Sequence, residues 1–466
     1  MVKIKRSGIT LTEGPILKNM ILYAIPIVLT GLLQVLYNAV DMIVVGQWAP
    51  NGELASGAVG SCSSLINLIV QLFMGLAVGA GVSVAHDIGA QREDDVHRMI
   101  HTAVPVAAIS GIAVGVFGFL TSKYLLELTG VVEPLLSEAV PYMQAYMVGV
   151  PASLVYNYCA AMLRSSGDTT RPMVFLAISG LVNVVANLVA VIGFGMGAVG
   201  VGIGTAISNW FAMIFIVVYM LRAKGIMHLD FRKMRIYRDR LWKIISIGIP
   251  SGIQGCVFAV SNVIIQSSIN SFKSSAVIAG NTAAGNLEGF VYNVMHAFYD
   301  TTLTFAGQNM GAKKLERVKK SCINGLIGGC GSSFVVCIIF LLLAHPLLSM
   351  YGLETEEAFN SGIVRMNIIF MFYWMLGAHE VQCGFMRGLG HSMVSMLSSV
   401  LGICGIRIIW IYTVFPIWHT LEGLLVIYPI SWGITIVVEA FCCIFIYRHK
   451  KALMSRGEML PALSNK

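Results

Sequence analysis

The sequence predicts an all-α membrane protein, with twelve transmembrane helices in two six-helix lobes related by a pseudo-two-fold axis along the membrane normal. Three observations predict it. Only 12% of the 466 residues are charged while 56% are apolar, and mean hydropathy is +0.78. Lysine and arginine fall almost wholly in alternate loops. The two halves of the chain repeat each other. A soluble domain carries roughly 25% charged residues, so this chain has too little charge to cover itself and uses lipid as part of its surroundings.

The apolar runs place spans at 17–46, 54–84, 99–121, 135–158, 173–193, 197–221, 244–270, 276–306, 321–345, 356–385, 393–415 and 421–447. Each is long enough for a membrane helix of about 20 residues. Residues 1–6 are basic like the start of a secretory signal. The apolar stretch behind them, 17–45, is too long for a signal core and has no small-residue cleavage site, so it reads as a first transmembrane helix. Lysines and arginines number 27 on the side of the amino terminus, the even-to-odd loops and the tail. Only Lys123 and Lys273 lie on the other side, and Arg365 and Arg407 fall within spans. That asymmetry predicts both termini in the cytoplasm, and it argues that the net charge of +8 serves topology rather than nucleic-acid binding.

Residues 222–243 carry eight basic residues and divide the chain nearly in half. The expected organisation is an N-lobe over 1–221, a basic cytoplasmic linker over 222–243, a C-lobe over 244–448 and a cytoplasmic tail over 449–466. Pro26 and Asn38 answer Pro250 and Asn262 at a separation of 224; Gly89 and Gly130 answer Gly311 and Gly352 at 222; Arg164 and Gly167 answer Arg387 and Gly390 at 223. An even number of spans per half gives both copies one orientation, the arrangement that can rock about an interface in alternating access.

Other motifs exclude other functions. Gly195–Gly200 fits a dinucleotide pattern but sits in a short turn between two spans instead of between a strand and an amphipathic helix. No Walker motif, zinc triad or nucleophile elbow is present, so no enzyme activity and no cofactor is expected. The ten cysteines are scattered, apart from the Cys442-Cys443 pair, and read as small packing residues.

The stretches Leu36-Tyr37-Asn38-Ala39-Val40-Asp41-Met42-Ile43-Val44-Val45-Gly46, Leu163-Arg164-Ser165-Ser166-Gly167-Asp168-Thr169-Thr170-Arg171-Pro172-Met173 and Gly307-Gln308-Asn309-Met310-Gly311-Ala312 resemble the multidrug and toxic compound extrusion (MATE) family. The likeness covers essentially the whole chain. It implies a bacterial inner-membrane antiporter, of the branch with an acidic residue on the first helix. Such a protein exports small organic, often cationic compounds in exchange for protons or sodium from a cavity between two lobes. The expected partners are those substrates and the lipid bilayer, with no nucleic acid, and the protein is expected to be a monomer. A flippase for lipid-linked precursors, from the same superfamily, is the alternative; it calls for a strongly cationic cavity.

Every charge at mid-membrane costs at least about 2.5 kcal/mol and needs an account. Asp41 lies five residues inside the outer end of the first span, about 8 Å at 1.5 Å per residue. Asn183 and Asn187 share a face of the fifth span, and Thr205 lies at similar depth on the sixth. Oxygen groups of this kind suit a hard cation or a proton, which makes Asp41, Asn183, Asn187 and Thr205 the cation-coupling candidates; the other reading is an aspartate held by the amides for structure alone. Matching residues line the N-lobe cation site in MATE proteins. The position of Asn187 is often Asp in that family, and its absence here weakens the case for a transient sodium at Asp41 relative to a proton.

In the second half, Glu288 and Arg407 lie near mid-membrane and are expected to pair, with Arg365 slightly shallower. Asp300, Glu380 and Glu439 lie nearer the cytoplasm, where they attract cationic substrate or merely meet water and loop arginines. His296 and His379 are either proton relays or hydrogen-bonded core histidines. Tyr37, Met74, Tyr156, Tyr292 and Met295, with Phe73, Phe258 and Phe298, are candidates to line a promiscuous cavity, against the plainer role of packing. Pro26 and Pro250 are expected hinges. Arg164, Gly167 and Asp168 are expected to form a tight gating turn, with Asp168 capping the fifth helix.

Overall fold

Lipid offers backbone groups no hydrogen-bond partner, so long apolar runs satisfy themselves as helices. A computed structural model describes residues 11–353 and 355–456, and these form helices joined by short turns and, over 223–237, by a longer linker, with no strand among them. The basic residues Lys3, Lys5 and Arg6 and the end of the tail lie outside the described residues. The long helices are α1 (Ile16–Trp48), α2 (Gly52–Gly89), α3 (Glu93–Leu128), α4 (Leu135–Ser165), α5 (Thr170–Gly193) and α6 (Ala198–Arg222), then α7 (Arg238–Asn270), α8 (Ser275–Gly311), α9 (Leu315–Leu342), α10 (Glu356–Gly388), α11 (Ser392–Thr413) and α12 (Leu421–Ser455). Both α5 and α11 contain a π-helical stretch, Val189–Gly193 and Val400–Gly405 respectively.

Eleven of these helices are long and apolar enough to cross a membrane. The twelfth is α8, where Asn281, Glu288, Asn293, His296 and Asp300 lower the hydropathy. At 37 residues it still measures about 55 Å, well beyond the hydrocarbon thickness of about 30 Å. The protein is a multi-pass membrane protein. Several helices outrun the apolar runs that predict them: α4 continues to Ser165 and α12 to Ser455. Ser274, Thr355 and Thr420 cap α8, α10 and α12 by accepting the amide of the residue three positions on.

The chain forms two compact units. Among the described residues, the first is Leu29–Gly255; the second is Leu11–Val28 together with the chain from Cys256. Thus α1 changes unit just after Pro26, and α7 just after Pro250. A proline removes one helical hydrogen bond and crowds the preceding turn, which makes each a natural point of bending.

Within the first unit α2, α3 and α4 pack on one another, and α6 packs on α4 and α5. Within the second, α8, α9 and α10 pack on one another, and α12 packs on α10 and α11. The turns repeat as well. Gln91 and Lys313 have φ of +56° and +57°, Gly130 and Gly352 +84° and +62°, Gly167 and Gly390 +97° and +85°. Helix contact relies on small residues in the manner of membrane bundles. A Cβ on Gly75 would lie 2.3 Å from the backbone nitrogen of Gly252, so α2 and the first part of α7 touch backbone to backbone.

The basic linker is anchored to the first unit. Arg240 is buried and reaches Asp87 Oδ2 at 2.9 Å and Asp95 Oδ1 at 2.5 Å, while Arg92 takes Asp87 Oδ1 at 2.6 Å. Arg98 pairs with Asp239 at 3.0 Å and lies over the Tyr237 ring. The second unit anchors its own leading segment differently. Asn309 stands where the first unit has Asp87, and Asn309, Lys314 and Arg317 donate to the backbone carbonyls of Leu11, Thr12 and Gly14.

Candidate cation site and buried charges

In the first unit the chain brings the four oxygen-bearing residues of α1, α5 and α6 into one hydrogen-bonded chain. Asn187 Nδ2 donates to Asp41 Oδ1 at 2.5 Å and to Asn183 Oδ1 at 3.3 Å. Asn183 Nδ2 then donates to Thr205 Oγ1 at 3.4 Å. Asn183 and Asn187 are buried, the latter fully. Their i, i+4 spacing puts both on one face of α5. With its Nδ2 donating twice, Asn187 keeps Oδ1 as an acceptor, and that buried atom has no hydrogen-bond partner. It rests against Gly204, where a Cβ would fall 1.9 Å away.

The internal repeat supplies a control. Shifted by the repeat, Asp41, Asn183, Asn187 and Thr205 correspond to Ile265, Ile406, Trp410 and Tyr428. All four belong to, or pack against, the apolar core of the second unit. The fold is therefore complete at these positions without a carboxylate or an amide, and the polar set is an addition to it.

The charges of the second unit pair otherwise than expected. Glu288 is not bonded to Arg407. It accepts Arg365 Nε on Oε1 at 2.6 Å and Arg365 Nη2 on Oε2 at 3.0 Å, a bidentate pair between α8 and α10. The reason is packing: α10 lies directly on α8, whereas Arg407 faces α12. There its guanidinium sits 4.2 Å from the Tyr428 ring centre and 5.9 Å from that of Trp432, with Nε donating to Ser431 Oγ at 3.4 Å. Glu380 is half-buried and accepts from Tyr292 Oη at 3.5 Å, with His296 Nδ1 at 3.4 Å. The His296 ring stacks on Tyr292 and Tyr299. Asp300 is half-buried. Glu439 meets neither water nor a loop arginine. It is fully buried, with His379 Nδ1 at 2.9 Å from Oε2, so His379 is a paired core residue.

Three of the cavity candidates belong to the core. Met295 and Phe298 are buried in the second unit, and Tyr156 is buried in the first with its hydroxyl on the Pro172 carbonyl at 2.7 Å. Tyr37 lies across Gly180 and donates to the Ala177 carbonyl at 3.1 Å, tying α1 to α5. Met74 is half-buried, and Tyr292 is 39% exposed. Aromatic and methionine side chains serve equally well as packing, which is why composition did not separate these cases.

The turn after α4 is tight. Gly167 donates to the Arg164 carbonyl at 2.8 Å and Asp168 to that of Leu163 at 3.1 Å, a left-handed helix ending that favours glycine. Asp168 accepts the Arg171 amide at 3.2 Å and pairs with its guanidinium. Gly390 and His391 repeat these bonds onto Arg387 and Met386.

Sequence reasoning missed one cluster, that of His379, Cys383 and Glu439, whose ligand atoms all lie within 4.8 Å of one another. Its only local signal is the four-residue spacing of His379 and Cys383; Glu439 comes from α12.

Comparison with known proteins gives a consistent result. The MatE family model matches residues 26–189 and again 250–413. The "Probable multidrug resistance protein YoeA" of Bacillus subtilis is 23% identical over 448 residues, covering 93% of this chain and 95% of that protein. The "Multidrug resistance protein PmpM" of Pseudomonas aeruginosa is 24% identical over 405 residues, covering 84% and 82%. Among solved structures, one described as the outward-facing conformation of a multidrug resistance MATE family transporter of the MOP superfamily superposes with a TM-score of 0.89 at 18% identity, over 97% of this chain and all of that one. That last likeness is one of fold.

Proposed function

Because this chain belongs to the MatE family, we propose that it is a proton-coupled antiporter that exports small organic, often cationic compounds by alternating access. The observation that carries the reading is the Asp41–Asn187–Asn183–Thr205 chain, placed where the other half of the fold is apolar. An ionised Asp41 accepts the Asn187 amide proton. On protonation it becomes a donor, and rotation of the Asn187 amide presents the otherwise unpartnered Oδ1 to receive it. Occupancy by a proton thus changes the bonds between α1 and α5, and α1 carries Pro26 at the point where it passes from one unit to the other.

A proton suits the site better than sodium because it holds one carboxylate, and a hard cation gains from each further anionic oxygen. The flippase alternative asks for a cationic site for a pyrophosphate; here Glu288 neutralises Arg365, and aromatic rings cover Arg407. We place the protein in the bacterial inner membrane as a monomer with both termini cytoplasmic, acting without enzyme chemistry, resident cofactor or nucleic acid.

The test is export of a cationic dye from proteoliposomes under an imposed pH gradient or an imposed sodium gradient, with the native chain and Asp41→Asn. Native export driven by the pH gradient and abolished in Asp41→Asn is expected. Undiminished export by Asp41→Asn under both gradients would refute the assignment.

A further inference from the structure

We propose that His379, Cys383 and Glu439 form a binding site for one divalent transition-metal ion, zinc by the chemistry of its donors. The site stands apart from the Asp41 cluster and does not depend on the export reading.

Three helices meet there. His379 and Cys383 come from one face of α10, Glu439 from α12, and Ser398 and Ser399 from α11, immediately before its π-helical stretch. Cys383 Sγ is 3.8 Å from His379 Nδ1, 3.5 Å from Glu439 Oε1 and 3.3 Å from Ser399 Oγ. Glu439 Oε2 is 2.9 Å from His379 Nδ1, and both serine hydroxyls lie 3.2 Å from Oε1. A tetrahedral zinc with bonds of about 2.0–2.3 Å keeps neighbouring ligand atoms roughly 3.3–3.6 Å apart. The Cys383–Glu439 pair thus has the needed spacing already, while the Cys383–His379 pair must close by about 0.2 Å and the His379–Glu439 pair open by about half an ångström.

The donor set selects the metal. A thiolate and an imidazole favour zinc and its neighbours over sodium, calcium or magnesium, which prefer oxygen. Charge argues the same way. Glu439 is fully buried in a spanning helix, and no lysine or arginine pairs with it among the described residues. Zinc(II) binding to the cluster would release the Cys383 thiol proton to water, leaving a thiolate, a carboxylate and a neutral imidazole around the ion. The site is then uncharged, the form that lipid tolerates.

The repeat shows that packing does not require these residues. His379, Cys383, Ser398, Ser399 and Glu439 correspond to Tyr156, Ala160, Phe175, Leu176 and Ile216. All five of those sit in, or against, the apolar core of the first unit. One half of the molecule closes this space with carbon; the other fills it with a thiol, an imidazole, a carboxylate and two hydroxyls.

The experiment measures metal bound to the full-length protein, purified through a tag that binds no metal, from cells grown with zinc or with cobalt. Native protein should carry about one zinc per chain, and its cobalt form should show a thiolate-to-cobalt charge-transfer band. Cys383→Ala copies Ala160 of the first unit and should stay monodisperse while losing the band and most of the metal. Glu439→Gln should bind metal at least tenfold more weakly. Native protein without stoichiometric metal would overturn the proposal and leave a proton shared by His379 and Glu439. An unchanged cobalt band in monodisperse Cys383→Ala would overturn it as well.

Discussion

Arg365 holds Glu288 with two parallel hydrogen bonds, at 2.6 and 3.0 Å, inside the second unit. Removing one member of such a buried pair strands a charge, at a cost of about 3–5 kcal/mol. Arg365→Ala should therefore lower folded yield sharply, and Glu288→Gln in the same chain should restore part of it. Arg407→Ala combined with Glu288→Gln should give losses that simply add. Thermal melting of the three single and two double variants in detergent checks this; recovery confined to the Arg407 combination would reverse the pairing.

At the Asp41 cluster, Asn187→Asp adds a second carboxylate beside the first. The variant should acquire export stimulated by a sodium gradient, with no such stimulation expected of the native chain, as read by dye efflux from proteoliposomes. Gly204→Ala sets a methyl group 1.9 Å from the present position of Asn187 Oδ1. It should displace that amide, cost about 1–3 kcal/mol of stability and depress proton-driven export. Normal export by Gly204→Ala would mean that the amide's position is immaterial.

Arg240 is the buried partner of Asp87, which is itself 1% exposed. Arg240→Ala should cost about 3 kcal/mol by leaving Asp87 short of countercharge. Asp87→Asn, which copies Asn309 of the second half, should recover much of that loss in the double variant. Melting temperatures of the single and double variants decide; no recovery would point to lost packing by the Arg240 stem.

His391, in the turn between α10 and α11, is pushed down to about 4 by burial, and then by the nearby charges of Lys450 and His449. It is neutral in the folded chain at pH values where an unfolded chain, titrating near 6.5, has already bound a proton. Its contribution is therefore whole above pH 6.5 and falls away as pH drops from 6.5 towards 4. His391→Gln should flatten the dependence of melting temperature on pH in that window, by on the order of 1–2 kcal/mol after allowance for solvent screening. An identical slope in native and variant protein would place the acid sensitivity elsewhere.

The sequence by itself determined that the chain lives in lipid, how often it crosses, where it repeats and which polar residues needed explaining. Those features are one-dimensional: apolar run length, loop charge and a constant offset are all read along the chain. The depth argument also brought Asp41, Asn183, Asn187 and Thr205 to one level, because helical rise converts residue number into height. Height says nothing about azimuth. Glu288 and Arg407 share a level, yet α10 rather than α11 faces α8, so Arg365 takes the carboxylate. Tyr156 and Met295 were legible as large and polarisable, but which way a helix turns them is set by its neighbours. Glu439 found His379 and Cys383 from a different helix 56 to 60 residues away. Tertiary packing decided each of these pairings, because side chains meet across helices according to rotation and contact, which linear spacing does not encode.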